Sequence, residues 1–514
     1  MERGRESSAA HGGICGSQNA LYDPQKYLWD MGDPERSDPA GRRGLRQGGG
    51  EMSAGAGGEF AINPATVRAW KRYPAYKDSG VEWLGEVPAG WEVKRLKYLC
   101  QINPSKSEVA SLPKDTKVSF LPMELIGEDC SLTLTENKPI DAVWEGYTYF
   151  RNGDIVVAKI TPCFENGKGA LCNNLTNGVA FGTTELHVLR AGEKINPKFL
   201  FLATKSYQFR KLGADLMTGT AGQKRVPDAF IRDYPVSVPP LPEQQAIAAF
   251  LDRETARLDA LIAKKQRFIE LLEEKRQALI TQAVTKGLDP DAEMKDSGIE
   301  RLGEVPAHWE VRAFTRCAIE RADYRGATPA KTESGIFLVT AKNIRKGWID
   351  YNASMEFVSE TEYPIIMRRG LPRLGDLLLT TEAPLGYAAL VDREDIALAQ
   401  RVVRFRMDPS LFEPLFALYS VLSPYFQNQM RYRGTGSTVL GIKASKLPQL
   451  KILCPPVSEQ WQILAFIEEK CATPGEILER AKRQITHLRE YRTALISAAV
   501  TGNIDVRSEA PATP

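Results

Sequence analysis

Polar and basic side chains concentrate in four glycine-containing stretches that each follow a predicted strand or helix. The candidates in the first half of the chain are Lys159, Thr161, Asn166 and Lys168 in Lys159–Gly169, and Thr220, Gln223, Lys224 and Arg225 in Thr218–Arg225. The candidates in the second half are Thr380, Thr381 and Glu382 in Thr380–Gly386, and Arg433, Ser437, Thr438 and Lys443 in Arg433–Lys443. Such side chains suit hydrogen bonds to phosphates and to base edges in the major groove of DNA.

The chemistry expected of three candidates is more specific. Glu382 is suited to accept a hydrogen bond from the amino group of cytosine, and Lys224 and Arg225 are suited to contact phosphate. Glycines nearby let the backbone approach a phosphate closely. For any single residue an ordinary solvated loop is an equally good interpretation, but the four loops together predict a DNA-binding face.

Motifs for catalysis are missing from the sequence. The run Gly434–Gly441, GTGSTVLG, lacks the GK[ST] ending of a nucleotide-binding loop. Pro290-Asp291 and Glu293–Lys295 resemble a PD…ExK nuclease pattern, but they are nearly adjacent, so we interpret them as a linker. The sequence contains no DPPY- or NPPF-like methyltransferase motif, no Walker A motif and no metal-binding spacing. We therefore expect a binding protein with no catalytic residues, no metal and no cofactor of its own.

Composition and charge limit the class of protein. A chain of 514 residues with 43% apolar and 25% charged residues is typical of a soluble globular protein of about three domains. A net charge of +3 excludes a uniformly basic nucleic-acid coat, so any DNA binding is local. The eight cysteines form no CxxC pair, which favours reduced packing residues. With no signal peptide and no long apolar run, we expect a cytoplasmic protein.

The chain is internally duplicated with a period near 217 residues. Lys77–Val93 and Lys295–Val311 agree at fourteen of seventeen positions, and Lys275–Thr285 and Tyr491–Thr501 agree at seven of eleven. The segments between these repeats differ almost everywhere. Repeated flanks around unlike middles indicate one role performed twice by the flanks and two different roles for the middles. A gene duplication that has drifted and is kept only for structure is the alternative interpretation.

Two long helices are predicted, one at the end of each repeat. Glu243–Lys286 contains no Gly or Pro, and its apolar residues recur at coiled-coil spacing. The residues predicted to pair the two helices are Leu251, Leu258, Leu261, Phe268, Leu272 and Leu279 in the first and Ile467, Ile477, Ile485, Leu488 and Leu495 in the second. Pro474-Gly475 lies inside the second helix, so a break or kink is expected there, with a new start at Glu476.

These motifs carry a resemblance to a known family. The repeated KDSG…GEVPA motif, PPLPEQQAIAAFLDRETARLDALIAKKQ and EEKRQALITQAVTKG resemble the specificity subunit of type I restriction–modification enzymes over roughly Tyr73 to Ile504. The resemblance implies two target-recognition domains that each read half of a bipartite, asymmetric DNA site. It also implies that two modification (methyltransferase) subunits and ATP-dependent restriction subunits bind this chain. S-adenosylmethionine, ATP and magnesium would be used by those partners.

The expected fold class is α+β, with two tandem α/β recognition domains, two long antiparallel coiled-coil helices and pseudo-two-fold symmetry. The expected boundaries are a disordered extension at 1–68, recognition domains at 69–240 and 293–456, helical regions at 241–292 and 457–504, and a disordered tail at 505–514. Met52 is a candidate alternative start within the extension. Two other hypotheses stay open at this point: a fused restriction–modification fragment with its own methyltransferase or nuclease activity, and a nonfunctional structural remnant.

Overall fold

A computed structural model describes residues 70–220, 222–324, 329–436 and 440–509 of the chain. These residues form two compact units. The first unit contains residues 70–267 and 483–509, and the second contains residues 268–482. The predicted extension at 1–68 and its Met52 lie outside the described residues, as do residues 510–514 of the predicted tail.

The first unit is built on two four-stranded sheets. Its strands are β1 (Tyr76–Asp78), β2 (Glu86–Pro88), β3 (Glu92–Arg95), β4 (Cys100–Ile102), β5 (Lys117–Leu121), β6 (Asn137–Pro139), β7 (Thr148–Arg151), β8 (Asp154–Ala158), β9 (Gly169–Leu171), β10 (Val179–Gly182), β11 (Leu186–Ala191) and β12 (Pro235–Val238). Its helices are α1 (Ile140–Val143), α2 (Pro197–Thr204), α3 (Tyr207–Asp215) and α4 (Asp228–Asp233), and α5 (Leu241–Lys286) begins in it. The sheet orders are β4-β11-β8-β9 and β6-β5-β10-β7. Two antiparallel pairs, β1 with β2 and β3 with β12, complete the unit.

The second unit follows a similar order of elements, with one strand and one short α-helix fewer among its described residues. Its strands are β13 (Met294–Asp296), β14 (Glu304–Pro306), β15 (Glu310–Ala313), β16 (Ala318–Asp323), β17 (Ile336–Val339), β18 (Phe357–Val358), β19 (Leu377–Thr380), β20 (Ala388–Leu390), β21 (Ile396–Leu398), β22 (Val402–Met407) and β23 (Lys451–Cys454). Its helices are α6 (Tyr363–Ile366), α7 (Pro414–Leu422) and α8 (Pro424–Arg433), and α9 (Val457–Thr501) begins in it. The main sheet has the order β16-β22-β19-β20, and a second sheet has the order β18-β17-β21. The predicted mixture of helices and sheets is confirmed.

The central strand of each unit is buried on both faces. In β8, Ile155 and Val157 pack in the cluster that contains α2, whereas Val156 and Ala158 pack in a separate cluster on the other face. In β19, Leu377 and Leu379 face the cluster of α7, and Leu378 faces the opposite one. Successive side chains of a strand point to opposite faces. A continuous apolar run therefore gives each unit two cores that share one strand.

The long helices differ from the prediction at one point. Helix α9 runs without interruption over 45 residues, so the predicted break at Pro474-Gly475 is wrong. Pro474 costs a backbone hydrogen bond, but Ile467, Cys471 and Leu478 around it are buried. Tertiary packing of an apolar face supplies most of the stability of a helix in a protein, and it outweighs the local preference here.

Within the first unit, α5 and α9 run antiparallel. Arg492 Nε lies 2.9 Å from Asp259 Oδ1, and Lys265 Nζ donates to Gln484 Oε1 at 2.7 Å. Higher numbers on α5 thus meet lower numbers on α9. Among the described residues, no helix combines the length and apolar character that a membrane span requires.

The buried apolar residues along α5 and α9 form the helical seam. Part of this seam is shifted by one residue from the predicted positions. Leu251, Leu258, Ile467, Ile485 and Leu495 are buried as predicted, and Leu272, Leu279 and Leu488 are partly buried. Leu261, Phe268 and Ile477 are instead 42%, 46% and 40% exposed, so their assignment to the seam is wrong.

The neighbours of those three residues take the predicted places. Ile262 is half-buried, and Ile269 and Leu478 are buried. On α5 the 3–4 spacing of the seam therefore continues from Leu251 through Leu258, Ile262 and Ile269. Two apolar residues side by side give the same helical period, so only the packing partner distinguishes them.

The hairpin of β1 and β2 packs at the end of α9, and the hairpin of β13 and β14 packs at the end of α5. Gly287 and Gly502 follow α5 and α9 with φ values of +72° and +80°, a conformation that favours glycine at helix ends. A Cβ at Gly287 would contact Trp309 at 3.3 Å, and one at Gly502 would contact Trp91 at 3.1 Å. Trp91 and Trp309 are both buried in the core.

Residues 505–509, which the sequence placed in a disordered tail, have a defined backbone in the first unit. Asp505 N donates to Lys71 O at 2.7 Å, and Arg507–Glu509 form a 3-10 turn. The seven cysteines in the described ranges form no disulfide bond with one another.

Candidate nucleic-acid interface

The two candidate loops of the first unit meet at the end of β8. Thr161 N donates to Lys224 O at 2.9 Å, and Val226 N donates to Lys159 O at 2.8 Å. Arg225 forms β-bridges with Ile160 and Thr218. Stretches that are some sixty residues apart in sequence are thereby joined through their backbones into one surface.

The candidate loops of the second unit meet in the same way at the end of β19. Ile442 N donates to Thr381 O at 2.9 Å, and Gly441 forms bridges with Glu382 and Thr435. Both β-bridges of Arg225 have a counterpart at Gly441, and the bond from Val226 N to Lys159 O has its counterpart in the bond from Ile442 N to Thr381 O. Both units therefore present a loop pair on one shared backbone frame.

A buried ion pair supports the frame from the opposite end of the central strand. Asp154 is only 1% exposed and accepts from Arg190 Nε and Nη2 at 2.7 and 2.8 Å. Asp376 accepts from Arg404 Nη1 at 2.7 Å and from Arg406 Nε at 2.9 Å. Both aspartates follow a glycine, as Gly153-Asp154 and Gly375-Asp376, and the sequence analysis did not identify the arginines that pair with them. Their signal was a charged residue within an otherwise apolar strand.

Most of the predicted side chains of Lys159–Gly169 contact other groups of the protein and so stabilise the loop. Thr161 Oγ1 contacts Met217 Sδ at 3.3 Å, and Lys168 Nζ donates to Met123 O at 3.1 Å. Asn166 is exposed, but its Nδ2 donates to Glu128 Oε1 at 2.7 Å. Lys159 is half-buried beside these groups.

The side chains of Thr218–Arg225 face solvent. Thr220, Gln223, Lys224 and Arg225 are all exposed. Arg225 Nε and Nη2 donate to the two carboxylate oxygens of Glu185 at 2.9 and 2.8 Å. The Arg225 guanidinium holds the pKa of the Glu185 carboxyl below its ordinary value, so the pair is ionised at neutral pH.

In the second unit, the predicted threonines are interior. Thr380 Oγ1 donates to Pro384 O at 2.5 Å, and Thr381 Oγ1 donates to Arg401 O at 3.1 Å. Both side chains are buried, so they shape the loop rather than face a ligand. Glu382 is half-exposed and accepts from Arg401 Nε at 2.7 Å.

The last candidates lie on the partner loop of the second unit. Lys443 is exposed, and Arg433 is half-buried with its Nη1 3.5 Å from Gln429 O. Ser437 and Thr438 lie outside the described residues.

Sequence reasoning missed Glu185 and Arg401, which hold equivalent positions. Glu185 immediately precedes β11, whose Leu186 pairs with Ala158 at the end of β8. Arg401 immediately precedes β22, whose Val402 pairs with Thr380 at the end of β19. Register with the central strand is the signal that would have found them, and it follows only from the sheet topology.

His187 lies beneath the loop pair of the first unit. Its ring is fully buried, with Nε2 3.1 Å from Val226 O and Nδ1 3.2 Å from Asp228 Oδ1. Burial lowers the pKa of His187 below its ordinary value, so its neutral form supports the loops.

Several known proteins are similar to this chain in sequence or in fold. Residues 88–271 match the family model of the type I restriction modification DNA specificity domain. The chain is 38% identical over 253 residues to the EcoAI specificity subunit of Escherichia coli and 37% identical over 252 residues to the EcoEI specificity subunit of the same species. Each alignment covers 49% of this chain and 41% of the relative, so the chain spans less than half of their length.

Among solved structures, a chain from work on complex assembly and conformational transition of the type I R-M system is similar in fold. It has a TM-score of 0.57 at 18% identity and covers 80% of this chain and 98% of its own length. The resemblance that the sequence indicated is thus confirmed: residues 88–271 match the type I restriction modification DNA specificity domain, and the chain is similar to specificity subunits of type I restriction enzymes.

Proposed function

We propose that this chain is the DNA sequence-specificity subunit of a type I restriction–modification complex and recognises a bipartite, asymmetric site. The observation that carries the proposal is the equivalence of the two loop pairs. Each pair is joined by equivalent β-bridges and an equivalent backbone hydrogen bond at the end of a central strand, yet the two pairs display different side chains. One frame with two sets of exposed groups suits two half-sites of different sequence.

The long helices support the spacing of such a site. Each contributes to both units, and its buried face keeps a 3–4 spacing. A continuous helix rises about 1.5 Å per residue, so its length would set the number of base pairs between the half-sites.

We further propose that the chain directs chemistry performed by partners. Two modification subunits and the restriction subunits would bind it, and they would use S-adenosylmethionine, ATP and magnesium. Leu261 and Phe268, exposed on α5, are suited to a protein contact because large exposed apolar side chains often mark interaction surfaces. Cytoplasmic localisation, where such partners act on DNA, belongs to the same proposal.

Exchange of the first recognition segment tests the proposal. Residues 92–238 of the full chain would be replaced by the matching segment of a relative, and methylated bases would be mapped in cells that also produce the modification subunit. We expect one half-site to change while the other half-site and the spacing stay the same. A change in both half-sites contradicts modular recognition. Methyl transfer by the purified chain alone would favour the fused-enzyme hypothesis instead.

A further inference from the structure

The exposed arginine of the first loop pair is held in one orientation from two sides. Glu185 accepts from Nε and Nη2 of Arg225, and the carbonyl of Gln223 accepts from Nη1 at 3.2 Å. A guanidinium has five N–H groups in a rigid planar fork. These three contacts therefore leave one N–H on Nη1 and one on Nη2 available to a ligand.

The remaining pair of N–H groups points away from the carboxylate that holds the arginine. The Arg225 side chain is 44% exposed, whereas that of Glu185 is 23% exposed. The fork is thus displayed and the carboxylate lies behind it. Two parallel donors at a fixed orientation match O6 and N7 of guanine in the major groove.

The charge of the pair argues against a phosphate contact. Phosphate binding draws on net positive charge and counterion release, but the Glu185 carboxylate neutralises Arg225. Lys224, the next residue, is exposed and forms no ion pair with any residue in the described ranges. The two neighbouring residues therefore differ. The positive charge of Lys224 is not neutralised by a carboxylate, whereas Arg225 is neutralised and offers only its oriented N–H donors.

We infer that Arg225 reads a guanine in the half-site of the first unit and that Glu185 is the positioning residue that orients it. This inference rests on the proposed DNA-recognition function and adds a specificity-determining pair to it. Loss of a bidentate arginine contact reduces discrimination against the wrong base by about 5- to 150-fold.

The experiment selects bound duplexes from a random-sequence library with the purified full-length chain and then measures affinity across a salt series. The variants are Glu185→Gln, Arg225→Lys and Lys224→Ala. Arg257→Ala is the matched control because Arg257 is an exposed arginine on α5 that also pairs with a carboxylate, that of Glu254. Circular dichroism and thermal unfolding verify that each variant is folded.

We expect Arg225→Lys to lose preference at one G·C pair while the salt dependence stays the same, because the charge remains and the fork is lost. Glu185→Gln removes the neutralising carboxylate, so it should lose the same preference and steepen the plot of log K against log salt by about 0.9. Lys224→Ala should flatten that plot by a similar amount and keep the base preference. Arg257→Ala should change neither.

Two results would overturn the assignment alone: an unchanged base preference in Glu185→Gln or Arg225→Lys, or a loss in both variants without a steeper salt plot for Glu185→Gln. If the unaltered chain enriches no sequence, the proposed function fails and the assignment fails with it. The two failures are therefore distinguishable.

Discussion

The loop pairs of the two units have a similar backbone arrangement, but they carry side chains of opposite charge at one equivalent position. Strands β11 and β22 each pair with the central strand of their unit. The residue immediately before them is Glu185 in the first unit and Arg401 in the second. Glu185 holds an arginine from the far loop, whereas Arg401 holds Glu382 from the near loop. The frame is therefore independent of the charged groups it displays, which is the property that a reader of variable sequence requires.

The largest expected effect concerns the buried ion pairs at the end of each central strand that lies opposite the loop pair. Arg190→Met should lower the free energy of unfolding of its unit by about 3–5 kcal/mol because Asp154 would be left buried without a cation. Arg404→Met should cost less, since Arg406 remains bonded to Asp376. Chemical denaturation of the full chain measures both, and Arg393→Met, at an exposed pair with Asp395, is the control. Equal costs for the two variants would contradict this difference between the units.

The next effect concerns the reversed pairs themselves. Arg225→Ala and Arg401→Ala should each reduce discrimination at one base pair by about 5- to 150-fold, and the affected positions should lie in different half-sites. Each arginine is displayed by a separate unit, so neither substitution should alter the other half. Mapping of methylated sites in cells with the modification subunit provides the measurement. Loss at the same half-site from both variants would show that the loop pairs do not act separately.

The smallest effect is a pH dependence confined to the first unit. His187 is buried, and its pKa is lowered by that burial, while Asp228, Lys159 and Glu185 act on it electrostatically. Val403 fills the equivalent position in the second unit. The unfolded chain takes up a proton below about pH 6.5 and the folded unit only at lower pH. Stability is therefore complete above pH 6.5 and falls as the pH decreases below it.

His187→Val is the matched control for that prediction because it copies the second unit. Its unfolding should lose the pH dependence between about pH 6.5 and the lower pKa of the folded state. Denaturation curves of the full chain from pH 5 to 8, followed separately for the two units by hydrogen exchange, report this difference. An equal loss of stability in both units at pH 5.5 would exclude His187 as its source.

The sequence located the loops of the candidate site but did not distinguish the side chains in them that are exposed from those that are buried. The glycine-containing stretches did meet in pairs, and each pair joins the loop after the central strand to a loop that follows a helix. Within them, burial separated Thr380 and Thr381 from Lys224 and Arg225, and nothing in the residue types distinguishes these groups. Glu185 and Arg401 were missed because their role follows from strand register.

The sequence by itself determined the duplication, the mixed fold class, the two long helices and the family resemblance, because repeats and apolar periods are local patterns. The tertiary structure alone decided three matters. It placed Ile262 and Ile269 in the seam instead of Leu261 and Phe268, and it kept α9 continuous through Pro474. It also paired Arg225 with Glu185 and Arg401 with Glu382. Each of these depends on contacts between segments far apart in the chain, whose packing energy exceeds the local preferences that a sequence displays.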